Sequence, residues 1–246
     1  MMVSLSDKVN YSKVRLKLHW GFSVAVPRAS KAKAAFPLPP PTTLVGALSY
    51  GLWRGKDYTP DGKGSPASEL HGKVYGAARF GDGTYGVYIE DVVRNVVSYF
   101  QKPERRSKRE YTFGIVPTGK VYSSGELVVV YLSSQLSTGQ LEKLSWSLVR
   151  VGSKEGLVSV EDVELGEASR VEGEVTTKFY FPSYLAHEES PFLRQVTFWE
   201  GGVVWGEEGK DVNYLIPLRP FPLESVEVQV RAREAYEANG DVVVLG

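Results

Sequence analysis

Between Lys102 and Lys120 the sequence KPERRSKREYTFGIVPTGK gathers six basic side chains, Lys102, Arg105, Arg106, Lys108, Arg109 and Lys120, against two acidic ones. Tyr111 and Phe113 are interleaved with them. Guanidinium and ammonium groups neutralise phosphates, and exposed aromatic rings stack on unpaired bases at roughly 1–3 kcal/mol per base, so the combination suits single-stranded RNA. A solvated basic loop is the plainer alternative. A second candidate is the turn Gly152-Ser153-Lys154-Glu155-Gly156, where backbone amides and the Lys154 ammonium can approach a phosphate, although a glycine in such a place is more often a helix C-cap.

Other chemistry is poorly supported. No Gly-Lys-Ser/Thr closes the Gly152–Gly156 turn as a P-loop would require, and Gly81-Asp82-Gly83 lacks the third glycine of a dinucleotide fingerprint. The three histidines, His19, His71 and His187, are far apart and there is no cysteine, so neither a zinc site nor any other metal or cofactor is expected. A metal-independent ribonuclease needs a base for the ribose 2′-hydroxyl and a cation for the developing charge. His19, Tyr50 and Lys120 are the candidates for it, weighed against an ordinary structural role for His19. Glu188-Glu189 and Glu207-Glu208 are neighbours in sequence, which suits solvated charges better than a facing acid and base.

The chain has 246 residues, 42% of them hydrophobic, enough to fill a core. No uncharged apolar run of membrane-spanning length and no apolar leader at residues 1–17 is present, so a soluble, cytoplasmic protein is expected. The formal net charge is zero, yet residues 1–123 carry 19 Lys/Arg against 9 Asp/Glu and residues 124–246 carry 10 against 20. The basic half is what a polyanion requires; the acidic half is expected to face protein partners or solvent.

The positioning elements follow from periodicity. Val14, Leu16 and Leu18 alternate with Arg15, Lys17 and His19, which predicts a first strand. The proline run Pro37-Leu38-Pro39-Pro40-Pro41 must be extended, and either Thr42 or Thr43 is placed to cap a helix running from about Thr43 to Trp53. Residues 55–72 read as a loop, Thr84 to Phe100 as strand, Lys102 to Lys120 as a long excursion, and Leu127 to Leu132 as a buried strand. Ser137 and Gln140 have capping-box spacing ahead of a second helix, and LVSVEDVEL after Gly156 reads as another strand. The expected class is α+β: a ferredoxin-like, RRM-like βαββαβ core over 1–165 with a basic insertion at about 100–122, then a small β-rich subdomain over 166–246.

Two passages resemble a known family: Phe36-Pro37-Leu38-Pro39-Pro40-Pro41-Thr42-Thr43-Leu44-Val45-Gly46-Ala47-Leu48, and Val151-Gly152-Ser153-Lys154-Glu155-Gly156-Leu157-Val158-Ser159-Val160. Both are similar to the Cas-five family of CRISPR-associated proteins, the second to its archaeal type I-A branch. The resemblance implies an RRM-like domain whose inserted thumb, here Lys102 to Lys120, holds the 5′ handle of CRISPR RNA in a Cascade complex beside the Cas-seven backbone subunit, the protein as a whole also docking on the large subunit. It also turns Thr42 and Thr43 toward RNA, since helix N-termini favour phosphate. One branch of the family cleaves precursor RNA with a tyrosine and an adjacent lysine and histidine near the thumb. No histidine lies between His71 and His187 here, so a non-catalytic subunit is expected, with a repeat endoribonuclease as the alternative.

Overall fold

The computed structural model describes residues 8–27, 34–53, 66–98, 111–185, 190–200 and 209–246, with side-chain detail for all of these except 91–98 and 111–117. Among them strands dominate and helices are few and short. The main sheet has the order β13-β12-β7-β1-β6-β3, built from β1 (Val9–Leu18), β3 (Tyr75–Phe80), β6 (Glu126–Ser133), β7 (Val158–Thr177), β12 (Val228–Ala238) and β13 (Asp241–Val244). The expected alternation in β1 is seen: Val14, Leu16 and Leu18 are fully buried. They point toward α1 (Pro41–Leu48) and α3 (Thr138–Trp146), because Ser12, on the same face, meets Ser145 of α3 through their hydroxyls at 2.6 Å.

The first helix differs from expectation. It begins at Pro41, with extended Pro40 as N-cap and no side-chain cap. Thr42 and Thr43 lie inside its first turn, where the Thr43 amide already donates to the Pro40 carbonyl at 3.0 Å. Proline is preorganised for the first helical position, so the proline run itself starts the helix. The element is also split. Ser49 returns its hydroxyl to the Gly46 carbonyl at 2.7 Å, and α2 (Tyr50–Trp53) follows as a separate turn. The Ser137 cap of α3 forms as its spacing suggests: its hydroxyl accepts from the Gln140 amide, and its own amide donates to Gln140 Oε1 at 2.9 Å.

The second strand of the main sheet is Tyr75–Phe80 rather than the Thr84–Phe100 segment. Its Gly76, Ala77 and Ala78 carry little strand propensity, but small residues are required there: a Cβ on Gly76 would stand 3.0 Å from Leu44 Cβ and 3.2 Å from the Tyr131 ring. The Tyr180 hydroxyl sits 3.2 Å from the carbonyls of both Pro39 and Gly76, and the Tyr131 hydroxyl donates to the Leu44 carbonyl at 3.1 Å. Burial raises the pKa of both phenols, so they remain neutral donors that fix α1 on the sheet.

Residues 84–100 instead supply one arm of a hairpin, β4 (Val87–Ser98), paired in register with β5 (Tyr111–Tyr122), from Val87↔Tyr122 to Ser98↔Tyr111. Part of the expected excursion is therefore a strand, whose partner is set by a nonlocal ladder and not by its own pattern. A two-residue strand, β2 (Gly21–Phe22), joins β5 to make a small third sheet. The expected boundary at 165/166 falls within β7, and β12 and β13 continue the main sheet beyond it. The core spans that point as well. Phe36 and Tyr180 each meet Phe198 edge-on, at 5.1 and 5.2 Å between ring centroids, and Tyr180, Phe198 and Tyr214 are all but fully buried. A further sheet pairs β10 (Lys210–Pro220) with β8 (Phe181–Pro182), β9 (Leu193–Glu200) and β11 (Leu223–Ser225).

Candidate nucleic-acid interface

The chain leaving β1 ties the base of the β4–β5 hairpin to the Gly152–Gly156 turn. Gly21, at φ +131°, lets β2 press against β5 so closely that a Cβ would stand 1.8 Å from the Val121 carbonyl oxygen. That approach sets Trp20 beside Tyr122, with ring centroids 5.5 Å apart and an interplanar angle of 57°. The Trp20 carbonyl accepts from the Ser123 amide at 2.9 Å, and its indole N–H donates to the Glu155 carbonyl. Ser23 completes the knot. Its hydroxyl donates to the Gly119 carbonyl at 2.7 Å, while its carbonyl accepts from the Ser153 amide at 2.9 Å. Gly152, at φ +75°, is required by the same contact, since a Cβ there would lie 2.6 Å from the Ser23 carbonyl oxygen.

Two cations flank this knot. Lys120, on β5, is half-buried and Lys154 is exposed. Both act on one carboxyl: Glu155 is held below its ordinary range first by its own backbone amide, with the ammonium groups of Lys154 and Lys120 adding to the effect. The sequence candidates Lys120, Ser153, Lys154 and Gly152 are thus brought together. The amides of the turn are mostly spent internally, however. Val151 donates to the Gly156 carbonyl, Gly156 to Ser153 and Ser153 to Ser23, so the turn offers Lys154 rather than an amide cradle. Thr42 and Thr43 lie in the first turn of α1, exposed and half-buried respectively. Tyr111 and Phe113 lie on β5, in register with Ser98 and Val96. Lys102, Arg105, Arg106, Lys108 and Arg109 lie outside the described residues. His19 bonds Ser159 Oγ at 2.8 Å; among the described residues neither Tyr50 nor Lys120 reaches it.

The sheet face opposite the helices behaves differently from its charge in the sequence. Register places Lys13, Arg15 and Arg79 on that face together. Lys13 pairs with Asp241 at 3.0 Å, Arg15 with Asp162 at 3.4 Å, and Arg79 with Asp241 through two bonds of 2.8 and 3.2 Å. The tip of the β12–β13 hairpin reaches over the face, where the Asn239 carbonyl accepts from Lys13 at 3.0 Å. Arg79 and Asp241 belong to opposite edge strands of the six, so the sheet curls until its edges meet. Part of the acidic half is thereby turned inward onto the basic half, a correction to the expectation that it faces partners or solvent.

Trp20 and Tyr122 were not singled out from the sequence. The available signal was a tryptophan directly before a glycine at the end of an alternating strand, a place where a large ring has no periodic partner. Among the described residues no cluster of His, Asp or Glu suits a metal ion, and no helix is long and apolar enough to cross a membrane.

No protein-family profile matches the chain. It is 54% identical over 239 residues, 95% of this chain and 98% of the relative, to CRISPR-associated protein Cas5 3 of Saccharolobus solfataricus. Over the same length and coverage it is 53% identical to CRISPR system aCascade subunit Cas5 1 of that organism. A crystal structure of a CRISPR protein from Archaeoglobus fulgidus shares the fold, with a TM-score of 0.55 at 22% identity over 96% of this chain and 98% of that one. Identity above one half along nearly the whole of both chains agrees with the two motifs that first suggested a relationship, and this chain belongs to the Cas5 family of CRISPR-associated proteins.

Proposed function

We propose that this Cas5 protein is a non-catalytic subunit of a Cascade-type interference complex that caps the 5′ handle of the guide RNA. In this reading β1, β3, β6 and β7, with α1 and α3, form a ferredoxin-like core in the spatial order β7-β1-β6-β3, and the β4–β5 hairpin inserted between its second and third strands is the thumb. The observation that carries the reading is the convergence of Lys120, Lys154, Trp20 and Tyr122 at the base of that hairpin, whose far end leads into the basic run 102–109. The aCascade name of a relative 53% identical supports the assembly. Contacts with a backbone subunit and a large subunit follow from the family resemblance.

The test is handle-RNA binding by the assembled complex. Replacing Arg105, Arg106, Lys108 and Arg109 together by glutamate is expected to weaken binding and to lower the magnitude of the slope of log affinity against log salt by about 3, at roughly 0.7 per lost phosphate contact. Unchanged affinity and slope would remove the thumb from the site. Labelled repeat RNA incubated with the purified chain in chelator is expected to stay intact; specific cleavage that disappears in His19→Ala would replace the capping role with a nuclease.

A further inference from the structure

We propose that Trp20 and Tyr122 form a stacking platform for one unpaired nucleobase, with Lys120 and Lys154 holding the phosphates beside it. The assignment rests on the RNA-binding reading above and extends it to residues outside the basic run of the thumb. Trp20 is fixed before any ligand arrives: its carbonyl is bonded by the Ser123 amide, its indole N–H is given to Glu155, and its ring leans on Tyr122. A ring held this way loses little freedom on binding. Yet neither Trp20 nor Tyr122 is buried; both rings stay partly open to solvent, unlike the aromatic residues Tyr180, Phe198 and Tyr214 of the core.

The surface around the pair fits a base and its ribose. Tyr122 faces Val87 across the ladder, and Lys120 faces Ile89, which puts all four side chains on one face of the hairpin. Val87 and Ile89 are 38% and 45% exposed, so the rungs beside Trp20 present apolar surface to solvent. Cations stand at the margin of that surface: Lys120 two residues along the strand on the same face, Lys154 on the turn that receives the indole N–H. Stacking accepts any base because every base has a π face, so the platform senses that a base is present and leaves its identity to other contacts.

The experiment measures binding of the full chain to a short single-stranded RNA and to the same RNA carrying one abasic nucleotide, moved position by position. Trp20→Ala is expected to weaken binding about 5- to 150-fold, the range for one stacked base, and Trp20→Phe to keep most of the affinity. For the wild-type chain one abasic position is expected to cost a similar factor, and that cost is expected to vanish in Trp20→Ala. An abasic penalty that persists in Trp20→Ala overturns the platform. So does wild-type RNA affinity in Trp20→Ala, and if that variant instead fails to join the assembly, the face docks protein. RNA affinity absent from the wild-type chain and from its assembled complex would overturn the capping role and the platform together, whereas normal wild-type affinity with an unaffected variant removes the platform alone.

Discussion

Arg79→Met is expected to destabilise the fold by about 3–5 kcal/mol in equilibrium urea unfolding, because it strands a buried carboxylate. The guanidinium of Arg79 makes two bonds to Asp241, donates to the Phe80 carbonyl at 3.0 Å and lies 5.8 Å from the Phe179 ring centroid. Both members of the pair are about nine-tenths buried, with side-chain exposures of 8% and 10%. Lys13, 3.0 Å from Asp241, survives the substitution and sets the expectation at the lower end of the range. The double variant Arg79→Met, Asp241→Leu is expected to recover part of the loss: the apolar pair replaces the ion pair, while Lys13 loses Asp241 and keeps only Glu164 at 3.9 Å and the Asn239 carbonyl. A single-variant loss below 1 kcal/mol would mean that the ion pair does not hold the sheet edges together.

Gly21→Ala is expected to cost about 3 kcal/mol and to abolish the hairpin-base site with it. The new methyl group would collide with the Val121 carbonyl carbon and oxygen, at 2.8 and 1.8 Å, in a backbone conformation that L side chains rarely adopt. The two-residue ladder β2–β5 is expected to open, parting Trp20 from Tyr122. Gly173→Ala separates the causes. Gly173 has φ +95° but nothing within 4 Å of its missing Cβ, so only backbone strain applies, about 1 kcal/mol. Thermal unfolding and RNA binding of both variants check this, and equal losses at the two positions would contradict the close approach inferred at Gly21.

Elements set by local rules were legible in the sequence. The alternation in β1, the Ser137 capping box and the valine-rich β6 depend on neighbours within a few residues. Elements set by distant partners were not. Tyr75–Phe80 is a strand because it pairs with β6, and its glycine is required because Leu44 and Tyr131 leave no room for a Cβ. Tyr111–Tyr122 is a strand because residues 87–98 pair with it, although glycine, proline and threonine interrupt its pattern. The threonines of the first helix were misplaced as caps because Pro40 and Pro41 already start it.

The candidate site divides in the same way. Its lysines, Lys120 and Lys154, were visible as basic residues in a basic excursion and a glycine turn. Their meeting around Glu155 joins two segments about 35 residues apart, and the seat of Trp20 on Tyr122 and Glu155 depends on contacts across more than a hundred residues. The charge asymmetry of the two halves points to a polyanion-facing surface, but Lys13, Arg15 and Arg79 spend their charge on Asp162 and Asp241. A charge count has no means of separating a cation that meets solvent from one folded onto its own carboxylate.

The central claim, that the 5′ end of the guide rests at the base of the β4–β5 hairpin, is tested most directly by photocrosslinking. Guide RNA carrying a photoreactive base in its 5′ handle would be assembled into the complex, irradiated, and the attached peptides of this chain identified. Crosslinks to peptides containing Trp20, Lys120–Tyr122 or Lys154 are the expected result. Crosslinks confined to the sheet face around Arg15 and Arg79, or to other subunits alone, would contradict it.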